Sequence, residues 1–266
     1  MRATHCRRTT LAGTLLALAL VGSAPAQTQT GAALPPLLQD DGALHPAWRF
    51  VGFPQQHTEL PPTRFEAGTV DGERALKVST ASSYGTLVHG WSGPVPAARL
   101  QWRWRLDQPL VGARVPVDIL SKAGDDAALK VCVMFDHPME RVPFWERTVL
   151  RLARGVSGEA LPAATLCYLW DSSHPALTEG ANPYSRRVRF ISLQGRGAPL
   201  ARWVNESRDV AQDFARLFAD ELPQGAQTPR EALPRISTVL IGADSDNTAS
   251  HSTGWVAGLR WADQAP

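Results

Sequence analysis

The sequence is poor in the residues that usually announce chemistry. It has three cysteines in 266 residues, Cys6, Cys132 and Cys167, and only three methionines. It has no Walker loop, no glycine pattern for a dinucleotide and no paired-histidine zinc motif. These absences speak against P-loop nucleotide hydrolases, dinucleotide oxidoreductases and helical zinc proteases. Gly155-Val156-Ser157-Gly158 fails as a nucleophile elbow, because its second glycine comes one residue early. His45, His57, His89, His137, His174 and His251 are scattered without ligand spacing, so they read as surface or turn residues.

A surplus of charge is missing too. The chain has 27 basic and 25 acidic side chains; the first 26 residues hold three of the basic ones (Arg2, Arg7, Arg8) and none of the acidic ones, leaving 24 against 25. A nearly neutral chain gives no support to nucleic-acid binding. Those first 26 residues read as a signal peptide. A basic start precedes the uncharged run Leu11–Val21, and Ala24-Pro25-Ala26 presents small residues for cleavage after Ala26. Arg7-Arg8-Thr9-Thr10-Leu11 also resembles a twin-arginine signal. The expected location is periplasmic or secreted. After cleavage no apolar run remains that is long enough to span a bilayer.

What is present is a rhythm of short strands. Leu100, Trp102, Trp104 and Leu106 alternate with Gln101, Arg103, Arg105 and Asp107, a strict period of two. Leu129–Asp136 repeats the alternation. Ala75–Ser79, Tyr84–Trp91, Leu166–Asp171, Val188–Leu193, Ser237–Ala243 and Trp255–Trp261 complete the set, the last with Trp255, Ala257, Leu259 and Trp261 on one face. Helical patterns are few. Pro143–Arg154 carries the stripe Trp145, Val149, Leu152. Ser207–Phe218 has Ser207 as its expected N-cap. The predicted fold is all-β: a two-sheet antiparallel β-sandwich, jelly-roll-like, with one or two short peripheral helices. Residues 27–46 are assigned to a flexible leader and 47–266 to a single sandwich domain.

Cys132 and Cys167 both fall in strands. A bridge between them would close a loop of about 35 residues and add about 4 kcal/mol by the chain-entropy estimate. The alternative is two buried thiols packing as small apolar groups.

An ordered series of motifs runs through these strands: Gly124-Asp125-Asp126-Ala127-Ala128, Val131–Asp136 (VCVMFD), Leu166–Asp171 (LCYLWD), Asn182-Pro183-Tyr184, Arg208-Asp209-Val210 with Asp213-Phe214, and Asp244-Ser245-Asp246-Asn247-Thr248. The series resembles the bacterial family called domain of unknown function 3047, over roughly Phe50 to Ala262. The resemblance implies an exported jelly-roll protein, broadly similar to carbohydrate-binding modules, with no established activity.

The candidate site residues lie on the polar sides of the strands. Arg103 and Arg105 share a face, and Lys130, Arg187 and Arg189 would join them if their strands are neighbours. With Asp125, Asp126 and Tyr184 they would hold a glycan or another polar, anionic ligand, since arginine forms forked bonds to carboxylate or sulfate. The competing reading is an exposed, salt-bridged sheet face. Asp244, Asp246 and Asn247 are candidate ligands for a structural calcium, with Asp171 or Asn182 completing the shell; otherwise they cap their own turn. No other cofactor is implied. Trp102, Trp104, Trp255 and Trp261 are assigned to the core, and Tyr84, Trp91, Trp145 and Tyr184 are the aromatic ligand candidates. A glycoside hydrolase or polysaccharide lyase would instead use paired carboxylates from Asp125, Asp126, Asp136 and Asp171. An envelope scaffold would show a contiguous exposed apolar patch. The exported protein is expected to begin at Gln27; N-terminal sequencing that finds an intact Met1–Ala26 segment would refute the leader.

Overall fold

The computed structural model describes residues 33–52, 60–157 and 161–262. The expected signal peptide, residues 1–26, and residues 27–32 of the expected leader lie outside the described residues. In chain order the elements are β1 (Arg49–Val51), β2 (Arg64–Val70), β3 (Glu73–Ala81), β4 (Tyr84–Val95), β5 (Arg99–Gln108) and β6 (Leu129–Phe135). Then come α1 (Phe144–Ser157), β7 (Ala164–Trp170), β8 (Glu179–Ala181), β9 (Val188–Gln194), β10 (Val204–Asp209), α2 (Val210–Leu217), β11 (Ile236–Asp244) and β12 (His251–Trp261). The strands form two sheets. One has seven strands in the order β1-β4-β11-β6-β7-β9-β8, and the other has five in the order β10-β5-β12-β3-β2. The fold is an all-β sandwich, as the alternating patterns required. One pair departs from the antiparallel rule: β7 and β9 run parallel.

The core forms where the apolar faces meet. Trp102 and Trp104 of β5 point inward and touch the opposite sheet. Their ring centroids lie 5.3 Å from Tyr168 and 5.6 Å from Trp170. Phe214 of α2 packs on Phe135 of β6 at 4.2 Å and on Phe218 at 4.7 Å. β7 is buried along its whole length. Its inner residues join this core, while Cys167 and Leu169 lie on the outer face under Ile119 and Ala127 from the loop before β6. That covering explains why β7 is apolar on both sides.

Four local expectations change. Helix α2 is capped by Asp209, whose carboxylate accepts from Gln212 N at 3.1 Å; Ser207 still belongs to strand β10. In β12 an extra residue interrupts the pairing with β5 between Ala257 and Arg260, and Gly258 there has φ +61°. This β-bulge turns Trp255 and Ala257 to the outer face while Leu259 and Trp261 stay in the core. The expected leader, where described, is tied down: Leu34 and Leu37 are buried in the main core, and the Trp48 indole donates to Pro36 O at 3.1 Å. Finally, the stripe on α1 faces solvent, with Trp145 74% and Leu152 67% exposed.

Cys132 and Cys167 are direct cross-strand neighbours on β6 and β7, and they are joined as a disulfide. The oxidised protein, unfolded without reductant, is therefore expected to show no free thiol at these positions. The Cys132→Ser, Cys167→Ser double variant should lose about 2–4 kcal/mol in denaturant melts. Two titratable thiols in the native preparation would contradict the pairing.

Candidate functional site

The sequence-predicted site residues separate into three places. Arg103 and Arg105 project from the outer face of the five-stranded sheet, as the alternation in β5 dictates. Arg103 pairs with Glu73 and lies over the Trp203 ring at 4.9 Å. Arg105 donates to Asp107 and Asp71, each at 2.5 Å. Trp255 spreads over Gly68 of β2, where a Cβ would come within 2.9 Å of its ring, and its indole donates to Asp107 at 2.8 Å.

Arg187 and Arg189 do not join this face. They are buried beside the short helical turn that follows α2. There the Glu221 carboxylate takes bonds from Arg187 at 2.5 and 2.8 Å, from Arg189 at 2.6 Å, and contacts the His137 ring at 3.1 Å. Burial alone would raise the Glu221 pKa, but the bonds from Arg187 and His137 and the two guanidinium charges outweigh it and hold the group at about 2. Arg189 also stacks on Phe218 at 4.3 Å. Glu221 is far along the chain from both arginines, so no sequence-local signal revealed this network.

Asp125, Asp126, Lys130, Asp244, Asp246 and Asn247 do come together, at the loop end of the seven-stranded sheet. The two sequence clusters are one. Asp244 accepts from Ala127 N at 2.8 Å and from Lys130 Nζ at 2.6 Å. Asp126 accepts from Thr248 N at 2.8 Å and from the Thr248 hydroxyl and Asn247 N. Asn182 donates to Asp125 and Asn247 donates to Asp125 O at 3.0 Å. Asn182 also caps the turn leading to Tyr184, whose hydroxyl donates to Lys122 O at 2.7 Å. The carboxylates thus staple the β11–β12 loop to the segment before β6. Backbone N–H groups and an ammonium hold the carboxylate oxygens of Asp244 and Asp126. Among the described residues no group of three His, Cys, Asp or Glu side chains is arranged to hold a metal ion.

The candidate hydrolytic carboxylates are also divided. β6 and β7 are antiparallel, with Leu129 opposite Trp170 and Phe135 opposite Ala164. Asp136 and Asp171 therefore sit at opposite ends of the pair. Asp171 is occupied in its own turn by Ser173 N at 2.7 Å and His174 N at 3.1 Å, and from β9 by the Ser192 hydroxyl at 3.1 Å.

Sequence reading missed a cleft of about 810 Å³ on the five-stranded sheet. Gln101 and Arg103 of β5, Asn205 and Ser207 of β10 and the bulged segment Gly258–Arg260 line it, and Leu34 and Leu37 close one side. The bulge makes the opening, because the extra residue prevents β12 from following β5 evenly. Trp102 is buried beneath it, with an indole N–H that has no partner. Glu206, also in the lining, accepts from Trp104 Nε1 at 3.0 Å and Gln194 Nε2 at 2.8 Å. Burial pushes the Glu206 carboxyl up, against the pull of those two donors.

The motif series that builds the staple and both sheets lies within the match to the family described as "Protein of unknown function (DUF3047)", which spans residues 46–260. The chain belongs to that family. A comparison with curated proteins finds no match. Among solved structures, a mutant family 29 carbohydrate-binding module is 11% identical, covers 87% of this chain and 96% of its own, and superposes with a TM-score of 0.35. A family 28 module, specific for non-crystalline cellulose, gives 13%, 87%, 94% and 0.37. The K3 cleaved adhesin domain of Lys-gingipain from Porphyromonas gingivalis gives 11%, 85%, 100% and 0.32. These likenesses are too loose to transfer a ligand to the DUF3047 chain, whose function is argued from its own surfaces.

The staple gives the protein a pH signature. Burial first, then the Asp244 charge, pushes Asp125 up to about 6. Burial with Asp244 and Asp126 does the same for Asp246, also to about 6. A carboxyl whose folded pKa is raised favours the folded state while protonated, and that advantage is lost as pH climbs from about 4 through 6. Asp125→Asn keeps an acceptor for Asn182 without the charge. It is expected to stabilise the protein by about 1–3 kcal/mol at pH 7.5 and by little at pH 4, read from denaturant melts at both values. Equal effects at the two values would contradict the shift.

Proposed function

We propose that this chain binds a glycan in the cleft beside the β12 bulge of its five-stranded sheet. The observation that carries the reading is the lining of that cleft. It combines amide, hydroxyl and guanidinium groups from Gln101, Asn205, Ser207 and Arg103 with the apolar side chains of Leu34, Leu37 and Leu259; the half-buried Trp203 ring lies outside the lining, against Arg103. Sugars present hydroxyls in a plane and an apolar C–H face, and such a mixture of fixed hydrogen-bonding groups beside an apolar surface matches both. Because Arg103 already pairs with Glu73, a carboxylate or sulfate on the ligand would have to displace that partner. The geometry therefore favours a hydroxyl-rich ligand over a strongly anionic one.

The opposite face offers less. The outer side of the seven-stranded sheet is filled by Val88, Leu240, Phe190 and the disulfide, under Ile119. A hydrolase or lyase reading has weaker support, because Asp126 and Asp171 are spent on the fold and Asp136 stands apart. A location in the cell envelope remains part of the proposal, favoured by the Leu11–Val21 run and by the Cys132–Cys167 bridge, which suits an oxidising compartment.

Glycan-array screening followed by calorimetry tests the reading. Binding of at least one saccharide is expected, weakened roughly tenfold or more by Asn205→Ala, and unchanged by Asp125→Asn at the far cluster. No saccharide bound, or binding indifferent to Asn205→Ala, would overturn it.

A further inference from the structure

Helix α1 is turned inside out. A helix on a soluble protein normally buries its apolar stripe and shows charge to water. Here Phe144, Trp145, Val149 and Leu152 are 78, 74, 50 and 67% exposed. Trp145, Val149 and Leu152 follow the i, i+4, i+7 spacing of one helical face. Three of the four charged residues, Glu146, Arg147 and Arg154, are half-buried and bonded to the protein instead. Glu146 accepts from Arg187 Nε at 2.5 Å, Arg147 donates to Val142 O at 3.1 Å and Arg154 donates to Leu161 O at 2.7 Å. Leu150 alone is buried among the apolar residues whose side chains are described.

The rim of this patch is basic. Among the described residues, Arg151 and Arg186 are exposed and Arg141 is half-exposed, while Glu140 is an exposed carboxylate and the exposed Asp220 is paired with Arg189. Glu146 is neutralised by Arg187 and lies 3.7 Å from Arg186. An apolar stripe containing tryptophan and phenylalanine, bordered by guanidinium groups, has the composition that settles at the boundary between headgroups and acyl chains. A second copy of the chain is a poorer occupant, since a two-fold contact through this face would set the arginine rims against each other.

We propose that α1 docks the protein on an anionic lipid surface, its four apolar side chains entering the boundary layer and Arg141, Arg151 and Arg186 meeting the headgroups. The proposal is independent of the glycan reading, because it uses another face. The test is co-sedimentation of the full chain with vesicles of phosphatidylcholine alone, and of phosphatidylcholine with an equal part of phosphatidylglycerol. The wild-type chain is expected to sediment with the mixed vesicles more than with the neutral ones, and less as salt is raised. The Trp145→Ser, Leu152→Ser double variant should lose roughly tenfold or more in partitioning, with its melting midpoint unchanged because both residues are exposed. Arg151→Glu should lose roughly fivefold or more on the mixed vesicles alone. The Leu11–Val21 run is common to all three proteins, so only the differences between them count. Equal partitioning of all three, or a wild-type dimer in gel filtration that the double variant splits, would overturn the proposal.

Discussion

Two indoles set the geometry of this sandwich. Trp102 and Trp104 press against Tyr168 and Trp170 across the gap between the sheets. Because strand side chains alternate, placing those rings inward sends Gln101, Arg103 and Arg105 outward. The register of β5 with β12 and β10 then decides what stands beside them: Ala257 and Asn205 next to Arg103, Trp255 next to Arg105. The aromatic contact therefore fixes the core and also places Gln101 and Arg103 of the cleft lining on the opposite face of the same strand.

The protein handles its buried charges in two contrasting ways. Around Glu221 the signs balance, with two guanidinium groups against the carboxylate, and the carboxyl is held well below its ordinary range. Around Lys130 they do not. One ammonium stands among Asp125, Asp126, Asp244 and Asp246, and burial and mutual repulsion push three of those four carboxyls up. Backbone donors from Ala127, Asn247 and Thr248 offset part of that repulsion. Loop attachment at this end thus rests on backbone and hydroxyl donors to crowded carboxylates, whereas attachment of the segment after α2 is secured by paired charge.

Much of the fold was legible because the relevant physics is local. Alternation in β5 and β6 and the apolar run of β7 each depend on a few consecutive residues. The site was less legible because its determinants are not. The β12 bulge depends on Gly258 and carries no distinct pattern, yet it reverses Trp255 and opens the cleft. Arg189 looked like a surface cation because its partners, Asp220 and Glu221, are some thirty residues away. Asp125, Asp126, Asp244 and Asp246 were each singled out, but only the pairing of β11 with β6 makes them neighbours. The α1 stripe had the correct helical period and the opposite orientation, since periodicity defines a face without saying what that face meets.

The strand order has a consequence for biogenesis. β12 lies between β5 and β3, so the middle of the five-stranded sheet is supplied by a segment that reaches its partners only after Arg105 has waited for Trp255. Such distant pairing slows folding, because a long loop must close before the contact repays it. Until β12 emerges from the ribosome, β5 has an open edge and its two indoles have an incomplete wall. The β5 edge and the inner wall are completed together, by the same closing strand.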